Sequence, residues 1–526
     1  MELKDVENCC CVIKVFEAFS DKQHISCSGV LVSPQTGVIL STGIPFSRYI
    51  KDQECLSSDP RFLSPDNFSD KLQIRVSFTS PRDWNQRSRE KVPPHSTQRQ
   101  PQAVSSKLLM LVNCVEFRQA FLEVFPKADL WSFHGDKKEE ELARDAQFLS
   151  WFAVLKVDLN DRSAGTIPWQ KSLSLEKGTP VFACGSPFGS LCLDLFISTL
   201  SRGIISNLAG EDNAVILTDA RCLPGTEGGG LFVVKGADAA SLIGLIVSPF
   251  GWRETEWIGL TLVCSVQLIF KNIIHCSGAR NVLSNGGPHP GMADLRLSAT
   301  GQESKAVQYP TVCFVDSGNV WGSGVFVTKK LVVTCRHVVS GKSAVTLKFH
   351  YMNRVLEVSG DVIFCTKASS PYDLALMELR VPVPEAVVPR MSQSFNPGVP
   401  VLVVAYGGLG RRCGPSQTCG ILSKAICLNH QPVMLQTTCA VQAGASGGAV
   451  VQKQTGELLG IVSSNTRDLA AKVTYPHLNF SIPVMVFQGL LQKFHQTMDI
   501  NVFKELNTTE KEVRRVWRLQ GQQSKL

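Results

Sequence analysis

The sequence predicts an all-β chain built twice over, and three observations carry that prediction. Short runs dense in Val, Ile, Leu and Thr, bounded by Gly, Pro and Ser, dominate both halves, as in Lys330 to Cys335 and Val399 to Ala405; such spacing belongs to sandwiches and barrels. Glycine-bearing motifs recur in the same order in both halves, the mark of an internal duplication. Ser28-Gly29-Val30-Leu31-Val32 answers Ser323-Gly324-Val325-Phe326-Val327, Gly178-Thr179-Pro180-Val181 answers Gly398-Val399-Pro400-Val401, Gly203-Ile204-Ile205-Ser206 answers Gly420-Ile421-Leu422-Ser423, and Leu242 to Ser248 answers Leu458 to Ser464. Finally, 526 residues, 44% of them hydrophobic, are enough for several domains that each bury a core.

In chain order, residues 1–276 hold the first copy. Its landmarks are more widely spread, and Pro81 to Lys107 is polar, basic and proline-bearing, so an exposed insertion is expected over 81–107. Residues 277–307, rich in Gly, Ser, Asn and Pro, read as a linker. The second copy occupies 308–500 and closes with Pro483, Val486, Phe487, Leu490, Leu491 and Phe494 at helical spacing, where proline suits a first turn. In 501–526, Thr509 and Glu512 form a capping-box pattern ahead of Val513, Val516 and Trp517, which predicts a docking helix. Gly521-Gln522-Gln523 would then be a spacer presenting Ser524-Lys525-Leu526. That tripeptide matches the peroxisomal targeting signal read by an import receptor, so the peroxisome matrix is the expected location.

Composition removes several classes. The 53 basic and 45 acidic residues give a net charge of +8 without a dense basic block, so nucleic acid is not an expected partner. No apolar run approaches the ~20 residues needed to cross a bilayer, and no membrane insertion is expected. The start of the chain carries no signal-peptide pattern, and the 18 cysteines include no C-x-x-C pair. Free thiols in a reducing compartment, with no metal and no cofactor, are the expectation.

The chemistry concentrates in the second half. Gly444-Ala445-Ser446-Gly447-Gly448 lies between two apolar runs; glycines let such a loop turn tightly and aim N–H groups at one point. A serine hydroxyl needs a general base near neutrality, and His337 stands at the end of the apolar run Leu331-Val332-Val333-Thr334-Cys335-Arg336. A buried carboxylate should orient the imidazole, and Asp373 precedes the largely apolar Leu374-Ala375-Leu376-Met377. The separations, 36 from 337 to 373 and 73 from 373 to 446, suit two successive six-stranded barrels with the site between them.

Thr-Cys-Arg-His-Val, Tyr-Asp-Leu-Ala-Leu and Gly-Ala-Ser-Gly-Gly in that order, followed by Asn479-Phe480-Ser481-Ile482-Pro483, resemble the trypsin-like serine proteases, more closely their Deg/HtrA-type branch. The resemblance implies two tandem chymotrypsin/trypsin-like double β-barrel domains, the first degenerate and the second catalytic, with C-terminal helices. It implies Ser446 as nucleophile, His337 as general base and acid, Asp373 as orienter, and the Gly444 and Ser446 N–H groups as oxyanion hole. Ala440 takes the place where trypsin proper carries an acid, and Ser463, Ser464 and Asn465 should line a pocket wall, giving a small uncharged pocket. The implied activity is removal of N-terminal targeting leaders from imported peroxisomal matrix enzymes, with internal cuts in others, commonly near a cysteine. Asn113-Cys114 is then the candidate self-cleavage bond, and a homo-oligomer is a further expectation.

In the first half, motif alignment sets Ile44 opposite His337, Trp151 opposite Asp373 and, counting without a gap from Leu217 on Leu435, Gly228 opposite Ser446. The catalytic types are lost there, which predicts an inactive copy that positions or regulates the active one, or simply supports it. Two rival readings are a catalytically silent binding or chaperone-like protein, separable by fluorophosphonate labelling lost on Ser446→Ala, and an esterase, which should carry a G-x-S-x-G elbow and the order Ser, Asp, His.

Overall fold

In the computed structural model the apolar runs become strands joined into closed rings. The structure describes residues 3–525 except 19–23, 57–58, 80–102, 126–130, 133–146, 160–167, 192, 236–238, 250–251, 254–255, 277–308, 319, 352–353, 409, 469–472, 509 and 518–522. The linker expected over 277–307 thus lies outside the described residues, as do Thr509, Gly521, Gln522 and Leu526. Contacts divide the chain into one unit of Met1–Glu123, Phe133–Gly251 and Leu260–Leu297, and another of Val124–Ser132, Trp252–Gly259 and Ser298–Leu526.

The first unit holds two rings. Strands β1 (Cys10–Glu17), β2 (Ile25–Ser33), β3 (Val38–Thr42), β4 (Leu72–Phe78), β5 (Ala103–Asn113) and β6 (Trp151–Val157) run in the order β5-β4-β1-β2-β3-β6, and β5 closes the ring by pairing with β6. Ala103 to Lys107, expected as the end of an exposed insertion, instead open β5 against β4 and β6. Strands β7 (Pro180–Gly185), β8 (Thr199–Ala209), β9 (Val215–Thr218), β10 (Gly230–Lys235), β11 (Ala239–Pro249) and β12 (Thr261–Ser265) form a closed barrel in the order β8-β9-β12-β11-β10-β7. Helix α1 (Val266–His275) follows, with Leu268, Ile269 and Ile273 buried along one stripe.

The second unit repeats the plan. Strands β13 (Val312–Asp316), β14 (Trp321–Phe326), β15 (Leu331–Thr334), β16 (Ala344–Tyr351), β17 (Arg354–Cys365) and β18 (Ala375–Leu379) form a closed barrel in the order β13-β14-β15-β18-β17-β16. A short helix, α2 (Arg336–Val339), caps β15. Strands β19 (Pro400–Ala405), β20 (Ser416–Leu428), β21 (Gln431–Thr437), β22 (Ala449–Gln452), β23 (Leu458–Asp468) and β24 (Val473–Pro483) close a second ring through β22–β19 and β23–β24. A separate apolar cluster fills each of the four rings, because alternating side chains of a closed sheet converge on its axis. Glu256–Trp257, a two-residue strand from the first half, pairs in parallel with β24.

The duplicated motifs occupy matching places. Gly178 and Gly398 have φ of +85° and +88°; their N–H groups donate to Ile205 and Leu422 carbonyls, each at 2.8 Å. A turn with positive φ ahead of β7 and of β19 is the reason both copies keep glycine there.

Two C-terminal expectations shift. The helix expected from Pro483 begins later, as α3 (Gln488–Thr497), because Pro483 still belongs to β24 and a single 3₁₀ turn intervenes at Val484–Val486. The docking helix is α4 (Lys511–Trp517), with Val513 and Trp517 buried. Gln523, expected in a free spacer, lies instead in a strand, β25 (Gln523–Lys525), paired with Ser464–Thr466 of β23. The cause is the geometry of β23: β22 covers only its first part, Leu458 to Ile461, and the ladder groups beyond are open to another strand.

Phe326 is fully buried in the core of the first barrel of the second unit, edge-on to Phe349 at 5.6 Å. Phe326→Ala is expected to destabilise that unit by about 3–5 kcal/mol, to be seen as a lower urea midpoint followed by tryptophan fluorescence.

Candidate active site

The apolar strand β15 ends at Thr334, and the chain turns at once into α2, which is held down by the buried Val338 and Val339. This turn sets His337 at the barrel rim. Its Nδ1 lies 2.6 Å from Asp373 Oδ2, and its backbone N–H donates to Asp373 Oδ1 at 3.2 Å. The carboxylate is only 4% exposed, so its charge must be compensated. Besides the two contacts from His337, Arg336 Nη2 stands 3.5 Å from Oδ1, while its Nη1 donates to the Lys367 carbonyl at 2.7 Å. With Nδ1–H given to the carboxylate, Nε2 is left as the acceptor, the tautomer a general base requires.

Ser446 is fully buried and sits on a loop that only glycine can form. Gly444 and Gly447 have φ of +90° and +84°, a region costly for other residues. A Cβ on Gly444 would come within 2.1 Å of the Trp321 ring, and one on Gly447 within 2.0 Å of the Ser323 carbonyl oxygen. The same crowding leaves the Gly447 Cβ site 2.5 Å from Thr334 Oγ1, at the end of the strand that delivers His337. The loop is fastened further by Gly447 N–H donating to Val462 at 2.8 Å, and Ser446 Oγ donates to the Ser463 carbonyl at 3.4 Å. His337 and Asp373 are thus paired, and the glycine loop that carries Ser446 packs against the end of the strand that delivers His337.

One side chain that sequence reading did not assign to the site holds this loop in place. Ser323 of β14 donates through Oγ to the Gly444 carbonyl and accepts from the Tyr406 N–H, both at 2.8 Å, while its own N–H donates to the Ser446 carbonyl at 2.8 Å. The available signal was its recurrence as Ser28. In the first unit Ser28 Oγ donates to Gly225 at 2.8 Å, accepts from Ser186 N–H at 2.8 Å, and Ser28 N–H donates to Glu227 at 2.8 Å.

That correspondence corrects one alignment. Gly225 and Gly228, with φ of +99° and +84°, match Gly444 and Gly447, so Glu227, not Gly228, stands where Ser446 does. Its Oε2 accepts from the Gly225 N–H at 2.6 Å, placing a carboxylate oxygen on the counterpart of the Gly444 donor. Ile44 and Trp151 keep their expected places. Gly43 N–H donates to Trp151 at 2.7 Å just as Arg336 N–H reaches Asp373 at 3.4 Å.

The residues expected at the pocket are all buried: Ala440, Ser463, Ser464 and Asn465. Ser463 and Ser464 border a cavity of about 370 Å³ with Asp373, Ser370, Arg514 and Trp517. Asn465 pairs across β23–β24 with Asn479, whose Nδ2 donates to the Cys439 carbonyl beside Ala440 at 2.8 Å. Val441 N–H donates to Pro476, and Gln442 Nε2 donates to the Ile258 carbonyl at 2.7 Å. Ile258 comes from the first half of the sequence, and no local pattern announces its place here.

Asn113 and Cys114 lie elsewhere, at the end of β5. Both are buried, and their N–H groups donate to Arg61 and Ser150 carbonyls, each at 2.8 Å. A protease could extend that bond in its cleft only after β5 left the sheet.

Burial raises the phenol of Tyr372, next to the carboxylate, to about 12, the Glu510 charge adding to the effect. Burial also lifts the Cys365 thiol above its ordinary range, with Arg336 opposing and Asp373 reinforcing. Neither supplies an ionised nucleophile near neutrality. Donor atoms of Cys335, His337 and Asp373 lie within 4.8 Å of one another, yet the last two are bonded together, and Cys335 Sγ contacts the Val462 carbonyl at 3.2 Å.

Ser323→Ala would leave the Tyr406 N–H and the Gly444 carbonyl unpaired in a buried seam, at a cost of about 1–3 kcal/mol. The expected outcome is a lower melting temperature together with faster amide exchange in Ala445 to Gly448.

A family model for the trypsin-like peptidase domain matches residues 134–245 and 322–461. The second match spans His337, Asp373 and Ser446. The peroxisomal leader peptide-processing protease of Mus musculus is 37% identical over 565 residues, covering 98% of this chain and 97% of its own. Its Homo sapiens counterpart is 37% identical over 536 residues, covering 94% and 92%. Among solved structures, the serine endoprotease from Yersinia pestis shares 21% identity over 36% of this chain and 65% of its own, at a TM-score of 0.29. By its near-full-length identity to the two mammalian proteins, this chain belongs to the family of peroxisomal leader peptide-processing proteases and is a serine endopeptidase.

Proposed function

We propose that the second unit cleaves peptide bonds with Ser446 as nucleophile, His337 as general base and then acid, and Asp373 as the group that fixes the imidazole. The observation that carries this reading is the half-buried His337 Nδ1–Asp373 Oδ2 contact of 2.6 Å beside a loop that seats Ser446. Ser446 Oγ attacks the scissile carbonyl as its proton passes to His337 Nε2. The imidazolium that forms is stabilised by the carboxylate and later protonates the leaving amine. Negative charge building on the carbonyl oxygen meets the Gly444 and Ser446 N–H groups, which contribute roughly 3–4 kcal/mol each in the transition state. Water then releases the acyl group from Ser446. The capped Gly225 N–H in the first unit supports this role for its counterpart, since Glu227 there offers an anionic oxygen to the same donor.

The first copy, residues 1–276 of the sequence, is degenerate. Ile44 and Trp151 have no group to serve as base and orienter, and Glu227, its carboxylate accepting from the Gly225 N–H, replaces the seryl hydroxyl. The part of this copy is to support or regulate the catalytic copy over 308–500. The substrates are N-terminal leaders of imported enzymes, as the names of both relatives suggest for those proteins, together with internal sites in other matrix enzymes. The peroxisome matrix is the location, reached through an import receptor that reads Ser524-Lys525-Leu526. Self-processing and homo-oligomer formation complete the proposal, with self-processing in the folded chain directed away from the buried Asn113-Cys114 bond. Ala440 at the pocket base, with Ser463, Ser464 and Asn465 on its wall, provides no anion for a basic side chain.

Incubation with a leader-bearing peroxisomal enzyme, followed by N-terminal analysis of the fragments, tests this reading. Wild type should release one defined leader, Ser446→Ala none, and Asp373→Asn should lower kcat by about 10⁴. An unchanged cut by Ser446→Ala would overturn it. In a library of synthetic peptides, wild type should discriminate against Arg and Lys before the cut, and Ala440→Asp should shift preference toward them.

A further inference from the structure

We propose that Gln523–Lys525 acts as a tethered competitive inhibitor, occupying as a β-strand the edge of β23 on which a substrate's backbone is read. The inference rests on the proteolytic reading of Ser446 and goes beyond it by naming an occupant of the cleft.

Three observations carry it. First, the edge is open and adjoins the nucleophile. β22 pairs with Leu458 to Ile461 and then stops, Val462 and Ser463 bind the Ser446 loop, and Ser464 to Thr466 follow directly. Backbone groups left there form a ready template for an added strand. Second, β25 fills this edge in the direction a substrate needs. Its pairs are Thr466↔Gln523, Asn465↔Ser524 and Ser464↔Lys525, antiparallel, so the strand runs toward Ser463 and hence toward Ser446. An extended peptide entering this way delivers the carbonyl side of its chain to the nucleophile.

Third, the preceding helix is anchored beside the cleft. Trp517 Nε1 donates to the Val433 carbonyl at 3.0 Å, its ring meets Tyr372 edge-on at 6.1 Å, and Arg514 Nη2 donates to Ser369 at 2.9 Å. With α4 fixed, the tail pairs at the high effective concentration of a short tether. Since Ser524 and Lys525 also belong to the targeting tripeptide, a receptor holding them and a cleft holding them exclude each other.

The test compares full-length wild type with Ser524→Pro/Lys525→Pro. In an antiparallel ladder alternate residues exchange the hydrogen bonds, so one of two neighbours must donate, and proline removes either donor. Labelling by a small fluorophosphonate, lost on Ser446→Ala, first establishes the reactive serine independently of the groove. The double variant should then show a KM for a peptide substrate lowered about two- to tenfold with kcat unchanged, and faster amide exchange at Ser464 to Thr466. Added in trans, a synthetic peptide of residues 518–526 should inhibit the variant competitively, and the same peptide with both prolines should not. Equal KM and equal exchange in wild type and variant, with no inhibition by the peptide, would overturn the proposal while fluorophosphonate labelling left the protease reading standing. Absent labelling would sink the protease reading itself.

Discussion

Everything at the candidate site depends on one buried seryl clasp between neighbouring barrels of a unit. Ser323 stands on β14 of one barrel and binds, through its hydroxyl and its N–H, both ends of the Gly444 to Ser446 turn carried by the other. The turn itself takes a shape open to glycine alone, with two glycines at positive φ and a tryptophan against the first of them. By fixing the turn against β14 and the end of β15, the clasp brings the serine from one barrel to the histidine of the other.

The first unit keeps this architecture around different residues. Ser28 makes the same three hydrogen bonds, and the glycines keep the same left-handed conformations. The reactive positions hold Ile44, Trp151 and Glu227, and the turn is stabilised by its own carboxylate. An isoleucine and a tryptophan add apolar contact where an imidazole and a buried anion would need compensation, which explains physically how a copy with different residues at these positions retains the fold.

Sheet edges govern the rest of the second unit. Closed rings satisfy their own ladders, but β23 and β24 extend past their partners and offer backbone on both sides of the site. Glu256–Trp257 takes one position, parallel to β24, and Ile258 beside it receives the Gln442 amide. Gln523–Lys525 takes another on β23. Segments far away in sequence thereby frame the residues around Ala440 and Ser463.

The duplication, the strand-rich architecture and the residue types of the site are legible in the sequence. Each is written in local patterns: apolar runs cut by glycine and proline, and short motifs such as Thr334 to His337 and Gly444 to Gly448. Tertiary structure alone decided which residue faces which. An apolar run looks the same when shifted by one position, so Leu217 set on Leu435 put Gly228 opposite Ser446; the hydrogen bonds of Ser28 and Ser323 fix Glu227 there instead. The same holds for Gln523, polar enough to read as a spacer, and for Ile258, an unremarkable apolar residue before the linker. Their places follow from which ladder groups remain open after the rings close, and that is a property of the assembled sheets, absent from any stretch of chain taken alone.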